Sequence, residues 1–162
     1  MKKMLAIVLV LVLFASAAYA EPWLMFSIKF NSSMKFFGLE EVDGSEITKL
    51  SVNTADDTFY INRGAYDFSA TFDGDNVAIF SARLLDKSAE MDYTMLCLAA
   101  ITALGDIDFS AYGCFMSLLA NARQGKSRMP GGLNMDVFAV SAGEDGIVYQ
   151  FTYLNEDLMY AP

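Results

Sequence analysis

The chain has 162 residues, 54% of them hydrophobic, a formal net charge of −9 at pH 7 and no histidine. That length holds one domain with its own core, and that apolar content excludes a disordered chain. The charge would repel a nucleic-acid backbone or anionic lipid, so no nucleic acid is expected as a partner. The missing histidine removes the usual general base near neutral pH, the Ser-His and Cys-His nucleophile pairs, and the commonest zinc ligand.

Lys2 and Lys3 precede an apolar run from Met4 to Phe14, and Ala18-Tyr19-Ala20 then places small residues where a leader is cut. This pattern predicts a cleaved secretory signal peptide over residues 1–20, ahead of a single small α+β domain over 21–162. The apolar stretch is shorter than the roughly 20 residues that span a bilayer, so no stable membrane insertion is expected after cleavage. The expected location is secreted or periplasmic. Loss of Lys2 and Lys3 would leave the remainder more acidic still.

Leu24, Phe26, Ile28 and Phe30 alternate with Ser27 and Lys29. The period of two predicts a half-buried first strand, open at one edge, over Trp23 to Phe30. Asn31-Ser32-Ser33 reads as its closing turn, although it also matches the N-x-S glycosylation pattern. Two short strands follow, with Leu50 and Val52 sharing a side in one and Phe59 and Ile61 in the other. The clearest alternation comes next. Tyr66, Phe68, Ala70 and Phe72 face one way, while Asp67, Ser69, Thr71 and Asp73 face the other. Asp73-Gly74-Asp75-Asn76 turns the chain into a partner strand from Val77 to Phe80.

The period then changes. A helix is expected from about residue 87 to 104, capped by Asp86, ended by Gly105 and striped by Met91, Met95, Leu98 and Thr102. A second helix carries Tyr112, Met116, Leu119 and Arg123. After the breaker at residues 123–132, two extended segments, "NMDVFAVSA" and "GIVYQFTYL", close the chain. Together these elements predict an α+β fold: an antiparallel β-sheet of about 5–7 strands, one face covered by an α-helical hairpin. Strand order does not follow from the pattern.

Cys97 and Cys114 are the only cysteines, and they sit at equal distances from the expected helix turn near Gly105. In an antiparallel hairpin such residues lie at similar heights, so a structural disulfide between Cys97 and Cys114 is expected in an oxidising compartment. Two free buried thiols are the rival reading. No CxxC motif is present, and two cysteines do not make a zinc site.

Asp67 and Asp73 are candidates for a carboxylate pair, but they sit several residues apart on the polar side of a strand, where solvated acids need no special reason, and the solvated reading is preferred. "DGDN" resembles a calcium loop in its oxygen spacing and lacks the glycine and distal glutamate of an EF-hand. No cofactor or metal is expected, and the glycine pairs lack phosphate-loop spacing. The aromatics Trp23, Tyr60, Tyr66, Tyr149 and Tyr153 are candidates for a ligand- or partner-binding surface. These observations favour an exported, soluble, non-enzymatic protein that binds an extracytoplasmic protein or small ligand. A carboxylate-dependent hydrolase and a structural subunit assembling through a sheet edge are the alternatives.

Overall fold

The structure is a computed structural model that describes residues 22–51, 57–74, 76–105, 109–124, 135–141 and 147–154. The signal-peptide segment lies outside the described residues, as do Val52 and Asp75.

The first described element corrects the expected first strand. Pro22–Phe36 is an α-helix, α1. Proline suits the first helical position, because its missing N–H has no intrahelical partner there. Trp23, Phe26, Phe30 and Met34 then recur at helical spacing and are buried, while Leu24, Met25 and Ile28 are exposed on the other side. Gly38 stops the helix with a φ of 79°, a left-handed conformation that a Cβ would oppose. The Leu39 amide donates to the Met34 carbonyl at 2.9 Å and the Gly38 amide to Lys35 at 3.1 Å. This is a Schellman ending. Asn31 belongs to α1 as well, and its amide clasps Val42 by two bonds, at 3.1 and 2.9 Å.

The alternating segments form strands as expected: β1 (Thr48–Ser51), β2 (Asp57–Asn62), β3 (Tyr66–Asp73) and β4 (Asn76–Leu84). Gly74, at a φ of 58°, makes the tight β3–β4 turn. Asp86 caps a short 3-10 turn, Lys87–Ala89, that leads into α2 (Glu90–Leu104). The Ser88 amide donates to its carboxylate, which holds the Asp86 pKa below the ordinary carboxylate range. Helix α3 (Phe109–Arg123) and strands β5 (Met135–Ser141) and β6 (Ile147–Leu154) complete the described chain.

The six strands form one antiparallel sheet in the order β1-β2-β3-β4-β6-β5. The fold is α+β. The three described α-helices lie on one face. Phe26 and Phe30 of α1 meet Phe68, Phe72 and Phe80 of the sheet at ring separations of 5.5–6.4 Å, and Phe115 of α3 meets Phe151 of β6 edge-on at 5.5 Å. Helix α2 lies between α1 and α3 and against β4. It is therefore enclosed on several sides. Its fully buried residues include Tyr93, Leu96, Cys97 and Ala100, whereas Met91 is exposed and Met95, Leu98 and Thr102 are half-buried.

The expected disulfide is absent: Cys97 and Cys114 are free thiols. The hairpin is present but its register differs. Thr102 and Tyr112 hydroxyls lie 2.7 Å apart, and Arg123 Nε donates to Glu90 Oε1 at 2.6 Å. Both contacts place Met116 or Ser117, not Cys114, level with Cys97. Rotation adds to the offset. Tyr112 faces α2, and a residue two further along an α-helix is turned about 200° from it, so Cys114 points away from α2.

Candidate functional site

The helices leave one face of the sheet uncovered among the described residues, and the strands' alternation fills that face with polar groups. Tyr60 on β2, Asp67 on β3 and Arg83 on β4 meet at its centre. Tyr60 Oη donates to Asp67 Oδ2 at 2.9 Å. Arg83 Nε donates to Asp67 Oδ1 at 2.9 Å, and Arg83 Nη2 donates to Asp67 Oδ2. The Asp67 side chain is 4% exposed and that of Arg83 is 50% exposed. A buried carboxylate thus receives three hydrogen bonds, two of them in the paired geometry that suits a guanidinium. Such satisfaction is what a charge removed from water requires.

A β-bulge assembles this trio. From the turn, Asp73 pairs with Asn76 and Phe72 with Val77; the register then shifts by one, so that Thr71 pairs with Ile79 and Asp67 with Arg83. An unbroken register would put Ala82 opposite Asp67. The extra residue, Ala78, also lets both Val77 and Phe80 face the core. Tyr60 reaches Asp67 diagonally, since its direct partner is Ser69 and that of Asp67 is Asn62.

The electrostatics follow from these contacts. The bonds to Asp67 raise the Arg83 pKa, outweighing the loss of solvent around the guanidinium. Partial burial, then the hydrogen bond to Asp67, raises the Tyr60 pKa. Around the trio, Thr58 and Thr71 hydroxyls lie 2.9 Å apart, and Gln150 Nε2 donates to Ser81 Oγ at 3.2 Å. Chemically this arrangement holds a phenol and a guanidinium in fixed positions on the uncovered face. Tyr60 gives its proton inward to Asp67, and its oxygen also accepts from Arg83; Arg83 keeps Nη1 as the nitrogen not engaged by Asp67.

The remaining sequence candidates fall elsewhere. Trp23 packs on Phe26 and Phe59, each at 5.6 Å, and is a core residue, as is Tyr149. Tyr66 is buried and lines an open depression of about 570 Å³ with Arg63, Glu46 and Asp92. Tyr153 is half-buried and lines a smaller cavity of about 220 Å³ with Met25, Phe26 and Lys29. Of the five aromatic candidates only Tyr60 belongs to the trio, where it meets Asp67. Asp73 is exposed at the far end of β3 from Asp67, six residues away or about 20 Å along a strand. The two acids therefore do not converge. Among the described residues no three acidic or cysteine side chains gather as a metal site would require.

Arg83 was not singled out by the sequence. Its signal was the polar position beside Ala82 and Leu84, readable only once the bulge is known. No protein-family model, curated protein or solved structure matches the chain.

Proposed function

We propose that the protein is an exported, non-enzymatic binding protein whose recognition surface is the uncovered sheet face. The observation that carries this reading is the Tyr60–Asp67–Arg83 trio: a buried carboxylate fixes a phenol and a half-exposed guanidinium on an open, hydroxyl-rich face. Groups held in place before binding lose little conformational freedom when a partner arrives. A flat surface of this kind suits a protein partner or an extended polar ligand better than an enclosed small molecule. The leader-like segment at residues 1–20 supports action outside the cytoplasm, in the periplasm or beyond.

Capture from an envelope fraction, compared between wild type and variants, tests the reading. Thr152→Arg adds bulk to the open face without touching the trio, and Arg83→Ala removes its exposed donor. Both are expected to cut recovery of the wild-type partner at least about tenfold, equivalent to about 1.4 kcal/mol of binding. Unchanged recovery with both variants would place the binding surface elsewhere. N-terminal sequencing of the exported protein checks the location, with Glu21 as the expected first residue.

A further inference from the structure

On the helical side of the sheet, α1 presents apolar residues to solvent as well as to the core. Leu24, Met25 and Ile28 are 53%, 59% and 61% exposed. Residues three and four apart on a helix are neighbours, so these three make one patch, and Lys29 stands one turn beyond Met25. Helix α1 carries Lys29 and Lys35 and no acidic residue, although the chain as a whole has a formal net charge of −9. Met25 belongs both to this patch and to the cavity of about 220 Å³. Met25 and Phe26 of α1, Val77 at the start of β4 and Leu104 at the end of α2 give that cavity apolar walls. Among the described residues Lys29 is the only charged one that lines it, and no described carboxylate pairs with its ammonium.

We infer that this cavity binds the alkyl chain of an anionic amphiphile, with Lys29 as the counter-ion of its head group. The volume limits the guest. An apolar cavity of about 150 Å³ admits benzene, so one of about 220 Å³ takes a segment of a single unbranched chain. The rest of the chain then lies over Leu24 and Ile28, whose exposed apolar surface it covers. Methionine at the mouth is flexible and polarizable, which lets the wall adapt to such a guest. The charge selects the head group. A carboxylate beside Lys29 gains an ion pair at the edge of an apolar site, whereas a cationic head meets a like charge. The acidic remainder of the chain opposes an anion only at long range, and physiological salt screens that repulsion more than it screens a contact pair. The cavity and the trio lie on opposite sides of the sheet, so this inference is independent of what the uncovered face binds.

Calorimetric titration of protein from an exporting host with decanoate and with decanol, both below the concentrations at which they aggregate, tests the inference. Trp23 is the only tryptophan of the chain, and its ring lies 5.6 Å from that of Phe26 in the cavity wall. Its fluorescence therefore reports occupancy there. Decanoate is expected to bind and to change the Trp23 emission. Lys29→Glu is expected to weaken decanoate at least about tenfold and to leave decanol within about twofold, because only the charged head group depends on residue 29. Met25→Asp places a carboxylate on the apolar wall at an exposed position and is expected to weaken both ligands. Thermal unfolding shows whether each variant is folded. No binding of decanoate, binding without a change at Trp23, or a decanoate affinity indifferent to Lys29→Glu would each overturn the inference. So would flotation with phosphatidylglycerol vesicles by a protein that ignores free decanoate, since the patch would then belong to a lipid surface.

Discussion

At the residue scale, the trio explains why a carboxylate on the polar side of β3 is buried at all. Asp67 accepts from Tyr60 and Arg83, and three neighbouring strands are pinned by its two oxygens. A hydrogen bond to a charged group contributes about 1.5–3 kcal/mol. Tyr60→Phe is therefore expected to cost about 1–2 kcal/mol at neutral pH, with partial exposure placing it at the lower end. The effect has a defined alkaline limit. The folded-state pKa of Tyr60 lies above the unfolded value of about 10. Its stabilisation is thus fully present below about pH 10 and is lost as pH rises through the folded value. Urea unfolding of wild type and Tyr60→Phe should show the largest gap at neutral pH and a shrinking gap above about pH 10. A gap that persists undiminished through the alkaline range would mean that the phenolic proton does not carry the bond. The other tyrosines titrate in both proteins and cancel in the difference.

At the element scale, α1 is the test of the fold. In a strand Ile28 and Phe30 share a side, but in a helix they are turned about 200° apart. Phe30 is fully buried, stacked on Phe26 at 5.2 Å and angled against Phe68 at 5.5 Å, whereas Ile28 is 61% exposed. Phe30→Ala should cost about 3–5 kcal/mol and Ile28→Ser no more than about 0.5 kcal/mol. Similar large losses at both positions in denaturant titrations would restore the strand. The segment misled because apolar residues fill positions 23–26 and then 28 and 30, which satisfies both periods. Pro22 and Gly38 bounded a helix, yet the helix face becomes clear only when Met34 is counted with Phe30. By contrast, β2, β3 and the start of β4 were legible because their alternation had only one reading. The bulge at Ala78 was not, since a register shift leaves no mark in composition, and with it went Arg83 and the pairing that sets it on Asp67. The stripe expected on α2 failed for a related reason: a helix packed on several sides is apolar nearly all round and offers no single face to read.

At the scale of the whole molecule, stability comes from one continuous aromatic core. The ring contacts run from Trp23 through Phe26, Phe30 and the central strands to Phe80, Phe151 and Phe115. A disulfide closing the α2–α3 hairpin would have added about 2–4 kcal/mol by restricting the unfolded chain, but the hairpin register and the turn of Cys114 away from α2 preclude it. The two thiols are consequently unequal. Burial raises the Cys97 pKa well above the usual thiol range and keeps the thiolate from forming, whereas Cys114 is half-buried on α3. A thiol reagent should accordingly modify Cys114 in the native protein and Cys97 only after global unfolding, so that the native titration gives one thiol and the denatured titration two. Adding a reductant should leave the midpoint of thermal unfolding where it was. A midpoint lowered by reductant, together with an intact mass two units below that of the dithiol, would show that the protein carries the cross-link and that α3 both slides along α2 by most of a helical turn and rotates to form it.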